Sequence, residues 1–328
     1  MKPSAIFSAV IDASAASARD AIVGATPTAQ ADVLAFALYP PRVNELARRA
    51  VVALIGAPIA LGIIWLGGAP LATLAGALSG VAAWEYYRIA HEGGTTPMSV
   101  VGVVLSALIP LGVHAQQLGV FVVPLVVWTL VPLSVLALSI WTRGVEGKPL
   151  GAAATTIFGA LYTGGTLSYI YALRYFGYAV GDTAGALVVI LPVVLTWASD
   201  TGAYFTGRLV GGPKLIPSVS PAKTISGAVG AVVATVGACA AFVHYLLKPQ
   251  AQLAFSPSGL LIFAVCISVT AQIGDLTESL LKREAGVKDS GTLFPGHGGV
   301  LDRLDSLFFV LPVTYALYYA LLLPAPSA

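Results

Sequence analysis

Long apolar segments constrain the fold of this chain more than any other feature. A helix needs about 20 mostly apolar residues to cross the hydrocarbon core of a bilayer. Because lipid cannot hydrogen-bond exposed backbone groups, such segments fold as transmembrane helices. The sequence therefore predicts an all-α polytopic integral membrane protein with about nine transmembrane helices. The predicted spans are roughly 50–67, 69–88, 97–115, 119–141, 151–173, 184–206, 225–247, 257–281 and 304–323.

Composition excludes a water-soluble domain. Of the 328 residues, 57% are hydrophobic and 10% are charged. A soluble domain is about 45–50% apolar and about 25% charged. Residues 1–45, rich in Ala and Ser, are predicted to form an extension that is weakly helical or disordered.

The distribution of Lys and Arg predicts the orientation in the membrane. With the N-terminus inside, all 17 Lys and Arg residues except Arg174 and Lys248 lie on the inner side. Cytoplasmic loops of membrane proteins carry such an excess. The two long polar loops, 207–224 and 282–303, then both face the cytoplasm, where they can build one site. The expected location is a multi-pass protein of the cell inner membrane with this site on the cytoplasmic face.

The end of the eighth predicted span carries a row of polar residues. Asp275, Glu278, Ser279 and Lys282 lie at positions i, i+3, i+4 and i+7, which places them on one helical face. A polar stripe that packs against neighbouring helices would explain the spacing. Carboxylates near a bilayer are costly, however, and usually mark a functional site. The row therefore favours function.

Two carboxylates follow where the ninth predicted span starts. Asp302 and Asp305 lie at i and i+3 on one face. Oxygen ligands of this kind suit Mg²⁺, which takes its remaining ligands from water and substrate phosphates. Favourable negative charge at a helix N-terminus is the alternative explanation. Asp275 lies at the same membrane face and favours the metal, while Lys282 and Arg303 would balance the negative charge.

Both loops offer groups that can bind phosphate. Three glycines in the segment 295–299 permit positive φ and a nest of amide groups around phosphate oxygens, although a tight turn would also explain them. His297 is then a phosphate contact or merely a loop residue. The first loop supplies cationic and hydroxyl donors, or is simply a solvated positive loop. These donors are Arg208, Lys214, Lys223, Ser218, Ser220 and Thr224.

Glu85 lies in an aromatic segment at the inner end of the second span. It is flanked by Trp84 and followed by Arg88 at i+3. An aromatic belt with a Glu85–Arg88 pair at i and i+3 explains this segment.

The charged segment 279–305 resembles the signature of the phosphatidate cytidylyltransferase (CDP-diacylglycerol synthase) family. The residues in register are Ser279, Lys282, Arg283, Lys288, Asp289, Ser290 or Gly291, His297, Gly298, Gly299, Asp302, Arg303 and Asp305. The segments 200–204, 220–224 and 274–278 are also similar to the family. One departure is Ile225-Ser226-Gly227, where family members commonly have Trp-Glu-Gly.

The resemblance implies that CTP and phosphatidic acid give CDP-diacylglycerol and pyrophosphate in phospholipid biosynthesis. It implies Mg²⁺, and a second metal ion would suit in-line displacement. Asp275, Asp302 and Asp305 would hold the metal and, with Lys282, form the catalytic group. The residues expected to bind substrate are Ser220, Lys223, Ser279, Lys288, His297, Gly298, Gly299, Arg303 and Asp200, the last as a metal ligand or the partner of a basic side chain.

We divide the chain into the extension 1–45, N-terminal transmembrane helices at 46–175 and a catalytic transmembrane region at 176–328. The expected partners are CTP, phosphatidic acid and membrane lipid, with no nucleic acid, and homodimerisation is left open.

Two other functions fit part of the sequence. A CTP-dependent transferase acting on an isoprenoid lipid phosphate would need the same groups, because apolar spans do not distinguish acyl from isoprenoid chains. A transporter would also place acids in the membrane. Transporter sites often lie between repeated halves, however, and the 275–305 pattern has no second copy.

Overall fold

The computed structural model describes residues 56–120, 122–291 and 298–325. The predicted N-terminal extension 1–45 and His297 lie outside the described residues. The chain is an all-α polytopic membrane protein. Its helices are α1 Gly56–Leu66, α2 Gly68–Glu92, α3 Ser99–Gln117, α4 Leu125–Thr142, α5 Pro149–Ala160, α6 Tyr169–Arg174, α7 Gly181–Leu209, α8 Ile225–Phe242, α9 Lys248–Ala251, α10 Pro257–Glu284 and α11 Leu301–Leu321.

Six helical segments among the described residues are long and apolar enough to cross a membrane. They are α3, α4, α7, the continuous stretch Ile225–Ala251, α10 and α11. All six overlap predicted spans. The count of nine stays a prediction, because α1 has only 11 residues within the described range and α2 ends in a charged turn.

The predicted span 151–173 is helical but interrupted. A π-helical turn at Leu161–Gly165 separates α5 from α6. At this turn Gly164 lies so close to the Ser106 backbone that a Cβ would overlap it. Glycine at this position lets the segment approach α3 more closely than a residue with a side chain would.

Two short antiparallel strand pairs were not predicted. Strands β1 Lys214–Ile216 and β2 Ser220–Thr224 pair in the first long loop, and β2 leads directly into α8. Strands β3 Leu253–Phe255 and β4 Leu322–Pro324 pair at the other end of α10. The β1–β2 hairpin therefore gives the donors of the first long loop a fixed backbone at the end of the bundle where α10 stops and α11 starts.

Small residues allow α7 and α8 to pack closely. A Cβ on Gly202 of α7 would lie 2.5 Å from the Ala234 Cβ and 2.7 Å from the Gly230 carbonyl oxygen. A Cβ on Gly230 of α8 would overlap the Thr206 side chain. Close backbone approach of this kind is a main source of packing energy between membrane helices. It fixes α7, which carries Asp200, against α8, which follows Lys223.

We expect Gly230→Ala to destabilise the protein, because the added methyl group has no space beside Thr206. Overpacking costs about 1–3 kcal/mol. Gly237→Ala is the matched control on the same helix, because nothing lies within 4 Å of the Cβ position there. Thermal unfolding in detergent should show a lower Tm for Gly230→Ala only. Equal Tm values for the two variants would contradict the packing described here.

Candidate functional site

The polar row predicted on α10 shares one helical face in the structure. The Ser279 hydroxyl donates to Asp275 Oδ1 over 3.4 Å. One turn further, Lys282 Nζ lies 2.8 Å from Glu278 Oε2. The last two turns of α10 therefore present a ladder of alternating acidic and polar or basic groups, as the spacing predicted.

Lys282 joins α10 to α11. Its ammonium lies 2.6 Å from Asp302 Oδ1 in addition to its contact with Glu278. The side chains of Glu278, Asp302 and Lys282 are 1%, 9% and 12% exposed. Charges this far from water interact strongly and hold each other in place. The pair Lys282–Asp302 thus fixes where the second loop returns to the membrane.

Asp302 also organises the ends of the second loop. Its Oδ2 accepts hydrogen bonds from Ser290 N at 3.0 Å, Ser290 Oγ at 2.8 Å and Gly299 N at 2.8 Å. Gly298, which precedes Gly299, has a φ of +80°, which glycine adopts without strain. With Lys282 on the other oxygen, the carboxylate has four donors. In the structure these contacts make Asp302 a structural link between the second loop and α10. Its predicted role as a metal ligand stays a prediction.

The first loop reaches the same helix. Lys223 Nζ, on β2, lies 2.6 Å from Asp275 Oδ2 on α10. Asp275 also interacts electrostatically with Asp200 of α7 and with Asp305 of α11. The prediction that both loops form one site is consistent with this arrangement, because Asp275 and Lys282, seven residues apart on α10, each bind a different loop.

A cleft of about 480 Å³ opens beside Lys223 and Asp275, between α7, α8 and α10. Sites for small molecules typically measure about 300–1,000 Å³. Its lining residues are Asp200, Ala203, Tyr204, Gly207, Arg208, Leu215, Ala222, Lys223, Thr224, Gly227, Ala228, Gln272 and Asp275. The cleft therefore combines cations, carboxylates and apolar walls, which suits a ligand with a charged head.

The donor set fits Mg²⁺ by its chemistry. Asp200, Asp275 and Asp305 offer only oxygen, and their like charges repel one another. A divalent cation would relieve that repulsion. Within the described ranges, however, no three His, Cys, Asp or Glu side chains already converge in the geometry of an ion site. Asp275 instead pairs with Lys223.

The substrate-binding roles of the remaining predicted residues stay predictions. Ser220 is half-buried on β2, while Lys288 and Arg303 are exposed at the ends of the second loop. At the departure from the family pattern, Ser226 donates to the Gly211 carbonyl and lies 3.1 Å from Thr224 Oγ1. Ser226 thus ties the segment between α7 and β1 to the start of α8.

The interpretation of Glu85 as part of an aromatic belt, paired with Arg88, was wrong. Glu85 is fully buried, whereas Trp84 is 52% exposed and Arg88 lies over its ring. The Glu85 carboxylate accepts hydrogen bonds from Ser290 Oγ, Val300 N and Leu301 N. Successive residues of a helix point about 100° apart, so an exposed Trp84 allows Glu85 to face the core. The scarcity of charge in this sequence was the signal that could have found it.

Comparison with known proteins identifies the family. The model of the cytidylyltransferase family matches residues 47–321. The phosphatidate cytidylyltransferase of Pseudomonas aeruginosa is 36% identical over 284 residues, which cover 84% of this chain and 97% of that protein. The phosphatidate cytidylyltransferase of Staphylococcus haemolyticus is 32% identical over 81% of this chain and 96% of its own length. That of Bacillus subtilis is 31% identical over 83% of this chain and 97% of its own length.

The match spans α1 to α11 and includes both loops that meet on α10. A likeness of this extent establishes the relationship. The chain belongs to the cytidylyltransferase family.

Proposed function

We propose that this protein is a phosphatidate cytidylyltransferase, which converts CTP and phosphatidic acid to CDP-diacylglycerol and pyrophosphate. One observation carries the proposal. Two residues on a single face of α10 bind the two loops. Asp275 pairs with Lys223 of the first loop, and Lys282 pairs with Asp302 at the end of the second loop. This arrangement concentrates cations and carboxylates at one end of a membrane bundle. The relatives named above bear the same activity in their names.

The chemistry needs charge control more than a base. An oxygen of the phosphatidate phosphate forms a bond to the α-phosphorus of CTP, and the bond from that phosphorus to pyrophosphate breaks. The nucleophile is already anionic near neutral pH. Two anions must therefore approach each other, and the leaving group gathers further charge. Lys223, Lys282 and Arg303 are proposed to screen these charges and align the phosphates.

Mg²⁺ is proposed to be held by Asp275 and Asp305, with Asp302 as the third predicted ligand and Asp200 beside them. When bound, such an ion neutralises negative charge on the phosphates. The support is the all-oxygen donor set and the mutual repulsion of Asp200, Asp275 and Asp305. A second ion would suit in-line displacement.

The site is proposed to face the cytoplasm, where CTP is made. The support is the distribution of Lys and Arg along the sequence. We expect single cysteines at the exposed positions Ser218 and Asp289, in a variant without Cys239 and Cys266, to resist a membrane-impermeant thiol reagent in intact cells. A cysteine at the exposed Lys248, predicted on the outer side, is the positive control. Labelling at Ser218→Cys without permeabilisation would overturn the orientation.

The lipid class is tested with purified protein and a panel of lipid phosphates. Radiolabelled CTP is supplied with phosphatidic acid or with an isoprenoid phosphate in the same detergent. We expect labelled CDP-diacylglycerol and at most background label in the isoprenoid product. Preferential labelling of the isoprenoid phosphate would replace the proposed substrate with the alternative one.

A further inference from the structure

Glu85 is a buried carboxylate far from the signature segment in sequence. It lies in the third-last turn of α2 and is 0% exposed. Its Oε1 accepts a hydrogen bond from Val300 N at 3.1 Å, and its Oε2 accepts from Leu301 N at 2.8 Å and Ser290 Oγ at 3.1 Å. These donors stand 205 or more residues away along the chain. Glu85 thus accepts from two amides of the segment that carries Asp302, and it shares the single Ser290 hydroxyl proton with Asp302.

Two of these donors belong to the start of α11. The first amides of a helix have no partner within the helix, and its N-terminus carries partial positive charge. The Glu85 carboxylate accepts from Val300 N and Leu301 N, so it supplies partners for these amides and places negative charge at the helix N-terminus. Hydrogen bonds to an ionised acceptor are about twice as strong as neutral ones. Glu85 therefore fixes the position of the turn that contains Asp302.

The glycines on either side of the loop show how closely the carboxylate fits. A Cβ on Gly291 would overlap Glu85 Oε1, and a Cβ on Gly299 would overlap Glu85 Oε2. Both ends of the described loop thus close around Glu85. Glycine at these two places leaves the space that the carboxylate occupies.

Ser290 connects Glu85 to the ion-paired centre. Its hydroxyl lies 3.1 Å from Glu85 Oε2 and 2.8 Å from Asp302 Oδ2, with Asp302 paired to Lys282 at 2.6 Å. A change at Glu85 therefore reaches Lys282 through two intervening side chains. The contacts of Glu85 with the described residues place its effect on the site through Ser290 and Asp302.

We propose that Glu85 is a positioning residue for cytidylyl transfer. Its carboxylate holds the ends of the signature loop and the first turn of α11, so that Asp302 meets Lys282. The inference rests on the proposed function for its effect on turnover. It places a contribution to the site in the N-terminal helices, outside the segment that carries the family signature.

The test compares Glu85→Gln with Glu92→Gln, an exposed glutamate at the end of the same helix. Glutamine keeps the shape of the side chain but puts an amide nitrogen where an acceptor faced an N–H donor. We expect Glu85→Gln to lower kcat per folded molecule at least tenfold, with KM values for CTP and lipid changed less than threefold. Glu85→Asp should recover part of kcat, and Ser290→Ala combined with Glu85→Gln should lose less than the product of the two single effects.

Hydrogen exchange supplies a readout that does not depend on activity. Peptides covering 298–306 should exchange faster in Glu85→Gln than in Glu92→Gln, with equal exchange in α7 and α8. Unaltered exchange at 298–306, or a kcat within twofold of the wild type, would overturn the inference. A lower yield with normal kcat per folded molecule would do so as well, since it would show a purely structural role. If Glu85→Gln does not fold, Ser290→Ala and Glu85→Asp are judged by the same two criteria. An inactive wild type would count against the proposed function, and the exchange result would still decide this inference.

Discussion

Replacing Asp302 with asparagine is expected to lower cytidylyl transfer by at least about 100-fold, or roughly 3 kcal/mol. Asparagine keeps the size of the side chain but removes the charge that Lys282 pairs with at 2.6 Å. It also turns an NH₂ group toward either Lys282 or the Ser290 and Gly299 amides. Removing one partner of a buried ion pair costs about 3–5 kcal/mol. The measurement is incorporation of radiolabelled CTP into lipid by purified protein.

The control for this substitution is Glu146→Gln, which removes an exposed carboxylate between α4 and α5. It should leave turnover unchanged. Gel filtration and thermal unfolding establish how much of each variant is folded, so that activity is expressed per folded molecule. Near-normal turnover of Asp302→Asn would show that cytidylyl transfer does not require the Lys282–Asp302 ion pair.

Chelation of divalent ions is expected to abolish activity, and added Mg²⁺ to restore it. We further expect Asp305→Asn to require about 10–100-fold more Mg²⁺ for half-maximal activity, the range measured when even indirect partners of a metal are lost. The physical reason is that Asp305 interacts with Asp275 and Asp200, and together they form an all-oxygen donor set. Activity is titrated against Mg²⁺ in metal-free buffer.

Glu146→Gln again serves as the control and should show the Mg²⁺ dependence of the wild type. Full activity in the presence of excess chelator would refute the metal proposal altogether. An unchanged Mg²⁺ requirement in Asp305→Asn would refute only the assignment of this residue as a ligand. The two results therefore separate the need for a metal from the choice of its ligands.

The helical spans could be predicted from hydropathy because a bilayer leaves a hydrophobic segment few alternatives. The predicted C-terminus of α10 lies within three residues of Glu284, and the predicted N-terminus of α11 lies within three residues of Leu301. The π-helical turn at Leu161–Gly165 could not be predicted, since it depends on how Gly164 meets Ser106 of another helix. The β1–β2 hairpin is too short for its pattern to stand out in a polar loop.

The candidate site was predictable where it depends on local spacing. The row on α10 follows from a helical period that holds over two turns. The pairing of Lys223 with Asp275 and of Glu85 with Ser290 depends on tertiary packing, which one sequence does not reveal. Glu85 was misjudged because its aromatic neighbours suggest a membrane interface, while the helix turns the two adjacent side chains to different environments.

The fate of the phosphorus atoms of CTP distinguishes cytidylyl transfer from every other use of CTP by this protein. Purified wild-type protein is supplied with phosphatidic acid, Mg²⁺ and CTP that carries label on either its α- or its γ-phosphorus. The proposed reaction transfers the α-label to lipid and releases the γ-label as pyrophosphate, with one pyrophosphate formed for each CDP-diacylglycerol. Transfer of the γ-label to lipid, or α-label that stays in water-soluble nucleotide, would contradict cytidylyl transfer to phosphatidic acid by this protein.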